Sequence, residues 1–254
     1  MDGDIKFKEI PRERKKHRRK HYLMRFLTFS LIVIVAVGFL LSPAFNINNI
    51  EVTGNQYYTA EEVINISGAE KGGNLFLQSQ EEKIRDALLA DPYFTEVGVH
   101  RKLPGTLVID VKERRQIAAI KYGGSFVVVS EDGVVLRKTD IDPLLTVLTG
   151  LTISKMTVGE KVKAVERRTL ERTLGMVSIM DAGDLYFKKI EMDGAYIRAY
   201  IYDTLIVKGR PEQMKESIES GNLQKVVNKL MKEDKTRGTI TLGDHNYISF
   251  SPAF

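Results

Sequence analysis

The sequence predicts an α+β protein with three parts: a single N-terminal transmembrane helix, a small domain of order β-α-α-β-β, and a second mixed domain built on an antiparallel β-sheet with helices. Three observations predict this: a long apolar stretch without charge, segments in which apolar and polar residues alternate, and helical segments that begin with capping signals. The predicted parts are a basic tail over residues 1–25, the transmembrane helix over 26–45, the first domain over 46–114 and the second over 115–254.

The transmembrane helix is predicted because residues 26–50 contain no Asp, Glu, Lys or Arg. A helix over residues 26–45 would be about 30 Å long, which matches the hydrocarbon core of a bilayer. A cleaved secretory signal is the alternative, because Ser42 and Ala44 have the spacing of a cleavage site. The apolar stretch is longer than the roughly 7–15 residues of a signal core, which favours the anchor. Both interpretations export residues 46 onward.

The charge distribution predicts the orientation of this helix. Residues 1–25 contain ten Lys or Arg and four acidic residues, whereas the rest of the chain contains 28 basic and 29 acidic residues. Basic residues beside a first transmembrane helix stay in the cytoplasm. We therefore expect a single-pass type II protein of the cell membrane, with a cytoplasmic N-terminus and an extracytoplasmic C-terminus. The near-neutral exported part gives no signal for nucleic-acid binding.

The residues that carry most enzyme chemistry are scarce. The chain has no cysteine, which excludes disulfides and thiol catalysis. Two of its four histidines, His17 and His21, belong to the basic tail, and His100 and His245 are isolated. No Gly-x-Ser-x-Gly, His-Glu-x-x-His, phosphate loop or Ser-x-x-Lys motif is present. We therefore predict no catalytic, cofactor-binding or metal-binding residue and no small-molecule substrate.

The first domain is predicted from local patterns in chain order. Ile50 and Val52 alternate with polar residues as in a half-buried strand, and Thr59 with Glu62 forms a capping box that begins a helix. A second helix follows with Ile84 and Leu88 at helical spacing, and a hairpin then turns at residues 103–105. Two helices on one face of a three-stranded sheet bury the apolar sides of both layers.

The hairpin contains a recognisable string, Pro92-Tyr-Phe-Thr-Glu-Val-Gly-Val-His-Arg-Lys-Leu-Pro-Gly-Thr-Leu107, followed by Val111-Lys-Glu-Arg114. This string resembles the polypeptide-transport-associated (POTRA) domain of the FtsQ/DivIB family of bacterial cell division proteins, closest to its DivIB branch. The order of a short cytoplasmic tail, one transmembrane helix, this domain and a β-rich region also resembles that family, and it covers the whole chain. Its signature positions are Val99, Arg101, Pro104, Thr106, Leu107, Glu113 and Arg114. Gln116 stands where relatives often have proline.

The second domain is predicted to begin with a strand over residues 117–120 and a hairpin of residues 126–129 and 134–136. The Asp132-Gly133 turn lacks the spacing of a calcium loop. A helix over residues 165–180 and strands over 189–192, 196–202 and 205–208 follow. Two helical segments then precede two closing strands, residues 239–242 and 247–250.

The resemblance implies a function as a non-enzymatic septal scaffold of the division machinery. Its implied partners are FtsL-type and DivIC/FtsB-type proteins, with a class B penicillin-binding protein reached indirectly, so that division is coupled to septal peptidoglycan synthesis. The implied contact is β-augmentation, in which a partner strand adds to an exposed sheet edge. The candidate edge residues are Ile240, Leu242, Tyr247, Ile248, Ser249 and Phe250. The alternatives are a POTRA-type chaperone or transport component and an exported hydrolase of unrecognised type.

Overall fold

A computed structural model of the chain describes residues 18–77, 80–180, 184–244 and 247–253. The helices are α1 Arg18–Leu40, α2 Ala60–Ser67, α3 Glu81–Leu89, α4 Arg167–Val177, α5 Pro211–Glu219 and α6 Asn222–Lys232, with a 3₁₀ turn at Pro43–Phe45. The strands are β1 Asn49–Thr53, β2 Phe94–Lys102, β3 Thr106–Glu113, β4 Ala118–Tyr122, β5 Ser125–Val129, β6 Val135–Thr139, β7 Thr146–Thr149, β8 Ile153–Lys155, β9 Lys163–Ala164, β10 Lys189–Asp193, β11 Tyr196–Tyr200, β12 Leu205–Gly209, β13 Gly238–Leu242 and β14 Ile248–Pro252. The predicted basic tail up to residue 17 and His245 lie outside the described residues.

The contacts of the chain divide it into two compact units. The first unit contains residues 1–50, 70–80 and 101–107, and the second contains residues 51–69, 81–100 and 108–254. The first unit includes α1, whose segment Tyr22–Leu40 is long and apolar enough to cross a membrane, with a mean hydropathy of 2.4 and no buried residue. A fully exposed apolar face is unstable in water, which agrees with the predicted membrane helix.

The β-α-α-β-β order predicted for the first domain is confirmed, with a three-stranded sheet of order β1-β3-β2. The predicted capping box at α2 is also present: Glu62 donates its backbone N–H to the Thr59 hydroxyl at 3.3 Å, and Thr59 donates its own to the Glu62 carboxylate at 2.8 Å. Gly54 ends β1 with a φ of +81°, and a Cβ there would lie 2.0 Å from the Val111 carbonyl oxygen. A side chain at position 54 would therefore push β1 away from β3.

The second sheet has nine strands in the order β14-β13-β12-β11-β10-β7-β4-β5-β6. The sequence predicts an antiparallel sheet, and most neighbouring strands are antiparallel. Three pairs are parallel, namely β12 with β13, β10 with β7, and β4 with β7. The predicted fold class, α+β with an apolar N-terminal helix, a small first domain and a large sheet domain with helices, is confirmed.

One face of the large sheet is covered by α4, α5 and α6, which form the main core with it. Fully buried core residues include Leu148 on β7, Ile190 on β10, Leu174 on α4, Met214 on α5 and Leu223 on α6. The helices pack here because their apolar residues recur every three or four positions, as Leu223, Val227 and Leu230 do. This packing fixes the outer strands β13 and β14 and thereby positions the candidate edge.

Candidate partner-binding edge and domain junction

The strand β14 lies at one end of the nine-stranded sheet. It pairs with β13 in antiparallel register, with Leu242 opposite Ile248 and Ile240 opposite Phe250. Within the described part of the chain, no strand pairs with the other side of β14. An unpaired strand side presents main-chain donors and acceptors to which a further strand can bond.

The main-chain groups at this free side can be assigned from the register. Gly243 donates its backbone N–H to the Tyr247 carbonyl at 2.8 Å, so this pair is hydrogen-bonded. Bonded and non-bonded pairs alternate along an antiparallel ladder. Ser249 therefore bonds inward to β13, whereas the N–H and C=O groups of Ile248 and Phe250 point away from it. The free side offers two donors and two acceptors at the spacing that an added strand needs.

Pro252 occupies a position that fits this alternation. It lies opposite Gly238, two residues beyond Phe250, where the N–H would point outward, so its missing donor removes no bond to β13. Proline blunts an edge at its own position. The unblunted part of the edge is therefore the stretch from Tyr247 to Ser251, which contains no charged residue.

The candidate side chains divide between the two faces of the sheet. Ile248 and Phe250 are partly buried and pack against the main core, together with the buried Ile240 and Leu242. Ser249 is half-buried and lies opposite Thr241, on the face away from that core, and Ser251, two residues on, is exposed. Ile240 and Leu242 can thus support β14 but cannot themselves touch a partner.

Tyr247 is the exposed aromatic residue of the candidate edge. It immediately precedes β14, and 64% of its side chain is exposed. Gly243 makes room for it, because a Cβ on Gly243 would lie 3.2 Å from the Tyr247 ring. Exposed tyrosines are enriched at protein interfaces.

The signature residues Glu113 and Arg114 lie at a junction between the end of β3 and the large sheet. The Glu113 carboxylate accepts hydrogen bonds from the backbone N–H groups of Gln56 and Tyr57, at 3.1 and 2.5 Å. The same carboxylate accepts one from the Tyr58 N–H at 3.4 Å. Three convergent amides stabilise a carboxylate, so Glu113 fixes the loop between β1 and α2.

Arg114 fixes the opposite side of the junction. Its guanidinium donates to the Pro92 and Phe94 carbonyls at 2.7 and 3.2 Å, and its backbone N–H donates to the Tyr93 carbonyl at 2.7 Å. The Nε atom of Arg114 lies 3.5 Å from the Asp132 carboxylate, an ion-pair contact without a hydrogen bond. One arginine thus connects the start of β2 with the β5–β6 turn.

The neighbours of Asp132 at this junction lower the pKa of its carboxyl. Partial burial alone would raise the pKa of its carboxyl, but the hydrogen bond from the Ser130 hydroxyl and the charge of Arg114 outweigh burial and lower that pKa. The ionised carboxylate is therefore the form that the folded junction stabilises.

A small aromatic cluster that was not predicted from the sequence packs at the junction. The Tyr57 and Tyr93 rings stack with centroids 4.4 Å apart, and Tyr93 packs against the buried Val128 and Leu136 of the large sheet. Tyr58 donates its hydroxyl proton to Asp91 at 3.0 Å, and burial together with this acidic neighbour raises the pKa of its hydroxyl. The adjacent Tyr57-Tyr58 pair and the Asp91-Pro92-Tyr93 turn were the available sequence signal.

The other signature residues have structural positions in the β2–β3 hairpin. Val99 is half-buried on β2, Leu107 is 1% exposed on β3, and Thr106 begins β3. Arg101 and Pro104 are exposed near the hairpin turn. The predicted residues thus fall into two groups. One group lies at the β14 edge, and the other, the POTRA signature, lies in the β2–β3 hairpin and at the junction.

One arrangement bears on the hydrolase alternative. His100 and Asp110 face each other across β2 and β3, with His100 Nε2 and Asp110 Oδ2 3.3 Å apart. Their side chains are 67% and 47% exposed, so this is a cross-strand contact between solvent-exposed groups. Within the described ranges, no three His, Cys, Asp or Glu residues cluster as metal ligands would.

Known proteins match the first domain of this chain, and some match most of its length. A family model described as "POTRA domain, FtsQ-type" matches residues 45–114. The cell division protein DivIB of Clostridium acetobutylicum is 29% identical over 207 residues, which cover 78% of this chain and 82% of the relative. DivIB of Bacillus subtilis is 22% identical over 203 residues, which cover 77% of this chain and 72% of the relative.

A solved structure, the major extracytoplasmic domain of DivIB from Geobacillus stearothermophilus, aligns with 42% of this chain and 87% of that domain. Its TM-score is 0.31 and its sequence identity is 18%, so the superposition adds nothing to the assignment. The matched FtsQ-type domain lies where the string of residues 92–114 predicted it, and the DivIB relatives align over most of their own length. The chain therefore contains an FtsQ-type POTRA domain and is similar over most of its length to DivIB cell division proteins.

Proposed function

We propose that this membrane-anchored division protein is a non-enzymatic septal scaffold whose β14 edge binds a strand of a DivIC/FtsB-type or FtsL-type partner. The N-terminus is cytoplasmic and both domains are extracytoplasmic. By holding these partners, the scaffold would reach a class B penicillin-binding protein indirectly and couple division to septal peptidoglycan synthesis. Similarity to DivIB cell division proteins supports the role in division, and the edge supports the mode of binding.

The observation that carries the proposal is the unpaired and uncharged side of β14 from Tyr247 to Ser251. Proteins usually protect such edges with charge, proline or a covering segment. The other end of the same sheet provides the contrast: at β6, residues 159–162 cover the start of the strand, with Val135 donating to the Glu160 carbonyl at 3.0 Å. An open sheet edge is what β-augmentation requires.

The Ile248→Glu substitution is a poor test, because Ile248 packs against the core and a buried charge would destabilise the sheet. The absence of cysteine offers a better one. We would place a single cysteine in the full-length protein by Ser249→Cys or Ser251→Cys and attach a photo-crosslinker. The matched control is Lys138→Cys, an exposed position on β6 at the opposite edge.

The proposal predicts co-purification with both partner types and crosslinks from positions 249 and 251 but not from 138. Labelling of the same cysteines in intact cells by a membrane-impermeant maleimide tests export. Co-purification without a crosslink at 249 or 251, or with an equal one at 138, would retain the scaffold and reject the edge. Failure of both partners to co-purify would reject the scaffold function.

A further inference from the structure

The end of the membrane helix is fixed to two loops of its own unit. The Asn74 side-chain amide donates to the carbonyl of Leu40, the last residue of α1, at 3.0 Å. Backbone hydrogen bonds add to this contact: Ile47 donates to Gly73 and Leu75 donates to Phe45, each at 2.8 Å. The loop of residues 70–77 is thereby held beside the point at which α1 ends.

A chain of aromatic contacts strengthens this attachment. The Phe39 and Phe45 rings meet edge-on with centroids 5.2 Å apart, and the Phe45 and Phe76 rings do so at 5.6 Å. The guanidinium of Arg101 lies over the Phe76 ring, 5.8 Å from its centroid. These rings connect the last turns of α1 to the β2–β3 hairpin.

The turn of that hairpin also contacts the chain directly after α1. The Gly105 carbonyl accepts a hydrogen bond from the Asn48 N–H at 2.8 Å. A Cβ at position 105 would lie 2.3 Å from the Asn46 carbonyl oxygen, so glycine permits this close approach. The turn of residues 101–105 and the loop of residues 70–77 therefore belong to one attachment with the helix end.

This attachment sets the depth of both segments. The 19 residues from Tyr22 to Leu40 span roughly 28 Å as a helix, about the thickness of the hydrocarbon core. If α1 crosses the bilayer, Leu40 lies near the boundary between acyl chains and head groups. The groups bonded to Leu40 and Phe45 then lie at the level of the head groups.

The two segments expose side chains that suit this environment. Leu77 is 69% exposed and Leu103 is 61% exposed, although large apolar side chains are costly to leave in water. The same segments contain the basic residues Lys71, Arg101 and Lys102 and one acid, Glu70. Apolar residues next to basic ones are typical of protein surfaces that lie in the interface of anionic membranes.

We propose that the loop of residues 70–77 and the turn of residues 101–105 form a second membrane contact, in the leaflet from which α1 emerges. Leu77 and Leu103 insert among the upper acyl chains, and the basic residues lie among the lipid phosphates. Arg101, an exposed signature residue that takes no part in partner binding at β14, would function in this membrane contact. It would fix the angle between α1 and its unit.

The test uses the full-length chain in nanodiscs of equal parts phosphatidylcholine and phosphatidylglycerol. Single cysteines from Leu77→Cys and Leu103→Cys receive a small fluorophore, and a lipid with a shallow acyl-chain nitroxide acts as quencher. Val33→Cys within α1 is the positive control. Val165→Cys, an exposed apolar position of the other unit, is the negative control.

We expect the quencher to lower emission at positions 77 and 103 by about half or more, as for a probe buried some 5–10 Å into the interface. Lys71→Gln with Lys102→Gln should reduce this quenching more in the mixed nanodiscs than in phosphatidylcholine alone. Quenching at 77 and 103 no stronger than at 165, with position 33 quenched, would overturn the proposal. Absence of quenching at 33 would overturn it as well, because α1 would then not span the bilayer.

Discussion

Replacing Arg114 by methionine tests whether the junction holds β2 against the large sheet. The Arg114 side chain is 23% exposed, and its guanidinium donates to two backbone carbonyls; methionine retains most of the apolar stem and removes the guanidinium. Hydrogen bonds to a charged group contribute about 1.5–3 kcal/mol each. The longer of the two, at 3.2 Å, counts for less, and the half-exposed Asp132 pair adds about 0–1 kcal/mol. We expect a loss of about 3 kcal/mol.

Thermal unfolding of the full-length protein, followed by circular dichroism, measures this loss. A loss of about 3 kcal/mol corresponds to a decrease in Tm of roughly 6–12 °C for a chain of this size. The control is Arg115→Met, because the neighbouring Arg115 is 56% exposed and lies 3.8 Å from an equally exposed Glu131. Exposed pairs of this kind contribute about 0–1 kcal/mol, so the control should shift Tm far less.

Acid titration provides a second measurement of the same substitution. The lowered pKa of Asp132 means that its contribution to stability is present above the ordinary aspartate value and is lost as pH falls through the lowered folded value. The part of the Arg114→Met effect that depends on Asp132 should therefore disappear in acid. Equal Tm shifts for Arg114→Met and Arg115→Met at neutral pH would refute the assigned role of Arg114.

Two further substitutions test the edge strand and the first helix. Gly238→Ala should separate β14 from β13, because Gly238 has a φ of +145° and a Cβ there would lie 2.5 Å from the Ser251 carbonyl oxygen. Amide hydrogen exchange should then accelerate over residues 247–253. The control is Gly124→Ala, which should leave exchange unchanged because the space around Gly124 is open. Thr59→Ala should destabilise the fold by about 1 kcal/mol through loss of the helix cap, whereas Glu61→Gln should have little effect in the same melts. The Thr59 backbone N–H, which alanine retains, and the Thr59 hydroxyl both lower the pKa of Glu62, so only the part of the Thr59→Ala effect that passes through the hydroxyl bond to the carboxylate should fade as pH drops through that lowered value. Unchanged exchange in Gly238→Ala, or an unchanged Tm in Thr59→Ala at neutral pH, would contradict these assignments.

Much of the fold was predictable because its signals are local. The Thr59 cap, the Asp132-Gly133 turn and the periodicity of Leu223, Val227 and Leu230 each depend on residues close in sequence, and the structure contains the corresponding elements. Strand β7 was missed. It has four residues, Thr146 to Thr149, and its neighbours on both sides are parallel and distant in sequence. A short strand of this kind has no turn signal of its own.

The candidate site was predictable to a smaller extent. The sequence located the closing strand and its lack of charge, but it could not distinguish inward from outward groups, because that requires the register with β13. Nor could the sequence show that Ile248, one of the candidate edge residues, packs against the core. The junction was missed as a site because Glu113 and Arg114 act on residues about 20 to 57 positions away.

The position of β7 also has a kinetic consequence. Each of the groups β4–β6 and β10–β12 is built from antiparallel neighbours that are consecutive in sequence, so these meanders can form early and independently. Joining them requires β7 to pair with β4 and with β10, across the intervening residues 123–145 and 150–188. Closing loops of this length before any contact compensates for the lost entropy is slow. A strand of four residues is therefore expected to set the folding rate of the sheet whose far end presents β14.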